Sequence, residues 1–95
     1  MASNSVTGDE IARRLAGLPG WQSNGKEIHR VFNFKNYYET MAFVNAVAYV
    51  AHGQDHHPDM EVGFNKCTVR FSTHSVGGLS EKDFVGAAKV DALTH

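Results

Sequence analysis

The chain has 95 residues, enough for one hydrophobic core and too few for two, so it reads as a single domain over 1–95 with a flexible start at 1–6. Nine Lys and Arg stand against ten Asp and Glu, a net charge of -1, and neither sign gathers into a run. That balance excludes an electrostatic track for nucleic acid or for anionic lipid.

In chain order, Thr7 and Glu10 have capping-box spacing, and Ile11, Leu15 and Leu18 recur at helical intervals before Gly17, Pro19 and Gly20. A first helix is predicted near 8–17. Asn24-Gly25 then sits between two β-rich segments; a type I′ turn there predicts a hairpin over 21–34.

Asn36 with Glu39 offers a second helix start, and helical character lasts until Gly53. Of the sixteen positions from Tyr37 to His52, twelve are apolar, more than one buried face requires. Tyr37, Met41, Val44, Ala48 and Ala51 make one stripe, and Tyr38, Ala42 and Tyr49 a second, about 100° round the helix. One side is expected to cover the protein's own sheet and the other a second subunit, which predicts a homo-oligomer, the alternative being a central helix wrapped by loops.

A second hairpin, MEVGFNKCTVRFSTH, is predicted to turn at Asn65-Lys66 and to end at His74. Cys67, Val69 and Phe71 share one face, and Thr68, Arg70, Ser72 and His74 the other. Ser80 and Asp83 form a third capping box, with Leu79 and Phe84 as a hydrophobic staple, ahead of a helix to about 93. The order α-β-β-α-β-β-α predicts a two-layer α+β fold, a four-stranded antiparallel sheet with three helices on one face. The other face is left partly open and is expected to be able to host a site.

Chemistry concentrates in AHGQDHHPDM, residues 51–60. His52 closes the second helix, where free carbonyls and the macrodipole favour a cation. His56 and His57 follow, and Pro58 pushes His57 toward extended backbone, so the two rings are expected to line different walls of a cleft. The second hairpin returns His74 to the level of Pro58, and four histidines are expected to converge. His29 reads as a surface strand residue and His95 as a frayed end.

HGQDHH faintly resembles elements of binuclear zinc hydrolases, but there is no His-x-His pair and no supporting set of carboxylates or cysteines. No metal is expected. Cys67 falls on the buried face of a strand, and Ser72 and Ser75 lack a strained elbow, so a nucleophile is disfavoured. Proton transfer by imidazoles on a small bound molecule is what remains. The single cysteine, the absence of a secretory-type opening and the lack of a stretch nearing the roughly twenty apolar residues of a membrane span predict a cytoplasmic protein.

DHHP at 55–58, FNK at 64–66, STH at 72–74 and GLSEKD at 78–83 together resemble the signature of the pterin-4a-carbinolamine dehydratases. The resemblance implies a dehydratase that removes water from a 4a-hydroxytetrahydropterin to give the quinonoid dihydropterin in tetrahydrobiopterin recycling, with no cofactor. It implies His56, His57 and His74 as the catalytic set, with His52, Asp55, Pro58, Ser72, Thr73 and Asp83 around the substrate. Asp55 would orient an imidazole, Ser72 and Thr73 would meet the pterin's amide edge, and Asp83 would match the family's terminal acid or serve as a cap. It also implies a homodimer or homotetramer packed through helix 37–52 and the sheet edges. Some relatives are, besides, dimerisation cofactors of a homeodomain transcription factor, which would add a protein partner and a nuclear location. Two positions depart from better-known members, which often carry an acidic residue at 52 and a tryptophan at 60, where this chain has His52 and Met60.

Overall fold

The computed structural model describes residues 6–94; the expectation for residues 1–5 and the one for His95 lie outside them. Val6, expected to be flexible, donates its N–H to the Leu79 carbonyl at 3.0 Å.

The three helices start where their caps predict. In α1 (Gly8–Ala16) the Thr7 hydroxyl accepts from the Glu10 N–H at 3.2 Å, while Glu10 pairs with Arg13 and Arg14 one turn on. Asn36 caps α2 (Tyr37–Gln54), accepting from the Glu39 N–H at 2.8 Å. Ser80 precedes α3 (Glu81–Asp91) and donates its N–H to Asp83 at 3.0 Å, with Leu79 and Phe84 buried as the staple. These are local devices, each satisfying a helix-end group that has no partner within the helix.

The strands β1 (Gln22–Ser23), β2 (Ile28–Asn33), β3 (Asp59–Val62) and β4 (Lys66–Phe71) form one antiparallel sheet in the order β1-β2-β4-β3. This is the predicted α+β fold, with three turns revised. Ser23 pairs with Ile28, so the first hairpin closes through four residues rather than two. Asn24 Oδ1 accepts the N–H groups of Lys26 and Glu27, and Gly25 takes the positive φ, whereas a type I′ turn needs positive φ at both central residues. In the second hairpin Val62 faces Cys67 and the Gly63 N–H meets the Lys66 carbonyl, which moves the turn to Phe64-Asn65. β4 stops at Phe71, and His74 opens a short 3₁₀ turn, His74–Val76, closed by a Thr73–Gly78 bridge.

Cys67, Val69 and Phe71 face inward with Ile28 and Phe32, and Trp21, Phe43, Val47, Leu79, Phe84 and Val90 complete the core. On the open face Arg70 bridges Glu27 and Glu61, hydrogen bonds that hold its guanidinium above the ordinary arginine range. His29, on the same face, is half-buried rather than at the surface. Trp21 Nε1 and Arg30 both donate to Asp91, tying the first hairpin to the end of α3.

The face that α2 buries coincides with neither stripe. Thr40, Phe43, Val47 and Ala51 are the buried positions, while Tyr37 and Ala48 are exposed. When twelve of sixteen residues are apolar, hydrophobicity marks no single face, and the aromatic contacts of Phe43 with Phe32 and Phe34 decide the rotation. The second stripe does point outward, with Tyr38 82% and Tyr49 83% exposed. Among the described residues no helix is long and apolar enough to cross a membrane.

Candidate active site

Gly53 does not end α2. The helix runs on to Gln54, and Asp55 takes the left-handed conformation at φ 55°. The Asp55 N–H meets the His52 carbonyl and the His56 N–H meets that of Ala51, both at 3.2 Å, a Schellman closure. This reversal sends His56 back beside the start of α3, and Pro58 leads directly into β3.

There His56 Nε2 lies 2.6 Å from Asp83 Oδ1, and the Asp83 side chain is fully buried. Its other oxygen, Oδ2, accepts from the Thr73 hydroxyl at 2.8 Å and from the Ser80 N–H at 3.0 Å. With Thr73 donating to Asp83, the Ser80 hydroxyl 2.8 Å away donates to Thr73. A carboxylate offers only acceptors, so Nε2 is the donor of the His56 pair, and Nδ1 is the nitrogen whose lone pair remains in the neutral ring. Asp83 therefore caps a helix with one oxygen and orients an imidazole with the other.

Asp55, His56, His57, Ser72, Thr73, His74, Ser75 and Lys82 line one cleft of about 320 Å³. That volume lies in the range usual for small-molecule sites. The three histidines expected to act together thus share a cavity, although β3 and β4 separate His74 from the other two along the chain. The cleft lies beyond the end of β4 rather than on the sheet's open face, where a site was expected to be able to form.

His52 does not join the other three. It lines a separate, mostly apolar cavity of about 620 Å³ with Tyr49, Gly53, Gln54, Lys89 and Leu93. His52 lies three residues before the reversal at Asp55 and still on the helix, so its direction is set by the helix rather than by the cleft. Pro58 is half-buried and does not line the cleft; it sets the path of the chain into β3. Thr73 is a wall residue whose hydroxyl is committed to Asp83 and Ser80, and Asp83 stands behind His56 rather than on the surface of the cleft.

Lys82 escapes sequence reasoning as a site residue, and Ser75 enters it only as a nucleophile and not as a residue of the cleft. Lys82 had a signal: it lies between the capping residues Ser80 and Asp83, in the turn that faces the histidines. Burial pushes the Cys67 thiol up from its ordinary value, the state of an inert core cysteine. Among the described residues no three His, Cys, Asp or Glu side chains are grouped as a metal site would require.

A family model described as Pterin 4 alpha carbinolamine dehydratase matches residues 4–93. The chain belongs to this family. A relative from Nitrosospira multiformis, named "Putative pterin-4-alpha-carbinolamine dehydratase", is 58% identical over 85 residues, covering 90% of this chain and 75% of its own length. One of the same name from Bdellovibrio bacteriovorus is 54% identical over 93 residues, covering 94% and 78%. The crystal structure of a transcriptional coactivator/pterin dehydratase from Brucella melitensis superposes with a TM-score of 0.91 at 34% identity, over 97% of this chain and 100% of that one. A pterin dehydratase-like protein described as a RuBisCO assembly factor of the alpha-carboxysome reaches 0.63 at 27% identity, over 77% and 84%. One fold neighbour is thus titled for an assembly role.

Proposed function

We propose that this chain dehydrates a 4a-hydroxytetrahydropterin to the quinonoid dihydropterin by imidazole acid-base catalysis. The observation that carries the reading is the cleft shared by His56, His57 and His74, with Asp83 bound to the Nε2 of His56. In the reaction the C4a–O bond breaks, the hydroxyl leaves as water with a proton from the protein, N5 loses its proton, and a C4a=N5 double bond forms. His56 Nδ1 is the acceptor for the N5 proton, and the Asp83 carboxylate then faces the positive charge the ring carries. His57 or His74 donates to the departing hydroxyl. That Asp55 and Ser72 line the same cleft supports a contact of each with the pterin's polar edge, and the free thiol of Cys67 fits a cytoplasmic location.

The test is to generate the carbinolamine and follow its loss with wild-type protein and with His56→Ala, His57→Ala and His74→Ala, each with and without a chelator. Loss of an acid or base should lower the rate by about 10²- to 10⁴-fold. A wild type that adds nothing to spontaneous decay overturns the enzyme reading, and inhibition by the chelator replaces imidazole with a metal.

One observation favours a second role. Tyr38 and Tyr49 stand almost fully exposed on α2, a surface suited to a second copy of the chain or to a protein partner such as a transcription factor. Tyr49→Glu should weaken assembly and leave dehydration intact, whereas His57→Ala should do the reverse. Val44 packs against the core and is the poorer probe.

A further inference from the structure

Glycine is the least favourable residue in a helix interior after proline, yet Gly86 occupies the buried middle of α3. Its surroundings supply the reason. A Cβ there would stand 2.7 Å from Phe71 Cε1 and 2.8 Å from Cζ, closer than packed atoms approach. The Phe71 ring, 1% exposed, rests directly on the α3 backbone. It also meets two rings, the indole of Trp21 at 6.1 Å and the imidazole of His56, which is nearly parallel to it at 12° with ring centres 5.9 Å apart. His56 is therefore held at its edge by Asp83 and on its face by Phe71, and the two restraints come from different elements.

We propose that Phe71 and Gly86 are positioning residues for His56: the ring supports the imidazole, and it reaches that place because residue 86 has no side chain. The significance for catalysis rests on the reading of His56 as the base, but the positioning itself does not. Added volume at 86 drives the ring toward the imidazole and away from the geometry that keeps Nε2 on Asp83. The same Cβ would stand 3.2 Å from Gln54 Oε1, the tip of a side chain on the helix from which His56 hangs. Neither residue needs to touch the substrate.

The test compares wild type, Gly86→Ala, Phe71→Leu and the double variant by three measurements: kcat and KM for dehydration, the thermal midpoint, and the His56 tautomer read by ¹H–¹⁵N NMR. Wild type should show the single Nε2–H tautomer. Gly86→Ala should show a mixture and lose about 10- to 100-fold in kcat, with little change in KM, as expected for a misplaced group. The double variant should be no slower than Phe71→Leu alone, because the leucine vacates the space the methyl needs while the Gln54 contact persists. A Gly86→Ala protein with a lowered midpoint but an unchanged His56 spectrum and kcat overturns the proposal. If Gly86→Ala does not fold, the Phe71→Leu spectrum decides, a mixture supporting the proposal and a single tautomer overturning it. If wild type does not accelerate dehydration, the functional reading falls, and the spectrum of Gly86→Ala alone decides the positioning.

Discussion

Asp83 and His56 are 27 residues apart in the chain and 2.6 Å apart in the fold, joined by the same carboxylate that caps α3. Under the proposed mechanism structural and chemical roles meet in one side chain, so its removal should register in both stability and rate. Asp83→Asn keeps the shape but replaces one acceptor oxygen by a donor, where His56, Thr73 and Ser80 all donate. The expected loss is about 1–3 kcal/mol for an unsatisfied buried group, measured by urea unfolding. A kcat loss of about 10²-fold or more should accompany it, on the scale of acid-base catalysis. Full activity in a folded Asp83→Asn protein would remove the carboxylate from the mechanism.

Asp55 separates geometry from chemistry. Its left-handed backbone costs most residues about 1–2 kcal/mol, a strain glycine does not carry. Asp55→Gly should therefore fold with equal or higher stability. Unchanged steady-state kinetics would assign Asp55 to the turn alone, whereas a lowered kcat at full stability would assign its carboxylate to the cleft.

His52 faces a different cavity from His56, His57 and His74. His52→Ala should leave kcat and KM for dehydration unchanged. A loss comparable to that of His57→Ala would show that the four rings act together after all.

Asp91 receives two donors, Trp21 Nε1 at 3.0 Å and Arg30 at 2.8 Å. Asp91→Ala leaves the largely buried indole N–H without its acceptor, so a loss of about 1–3 kcal/mol is expected in denaturant unfolding. Dehydration per folded molecule should not change, because Asp91 does not line the cleft.

Cys67 provides a pH signature. Burial raises its thiol above the ordinary value of 9.0, so above that value the unfolded chain releases this proton before the folded one does. The contribution to stability is complete below the ordinary thiol pKa and is lost as pH rises through the raised folded value. Cys67→Ala should remove that part of the alkaline decline in unfolding free energy. Native wild type should also resist a thiol reagent until urea unfolds it, and rapid labelling of the native protein would contradict the burial.

The features readable in the sequence are those whose physics is short-range. Thr7, Asn36 and Ser80 each answer to a helix end a few residues away, and the alternation of Cys67, Val69 and Phe71 follows from the pleat. Element order and fold class came from these signals, and the motif around Pro58 marked two of the three rings that share the cleft, His56 and His57. Packing decided the rest, because it depends on atoms distant in the chain. A helix apolar on most sides did not reveal that Thr40, Phe43 and Val47 face the core. The direction of His52 depended on where the helix ended, which the left-handed Asp55 settled two residues beyond the expected Gly53. That one oxygen of Asp83 would meet His56, with the Phe71 ring seated behind it on a bare glycine, required α2, β4 and α3 to be docked together. No local pattern specifies such a contact: each residue there satisfies its own element in the same way whether or not the others are near.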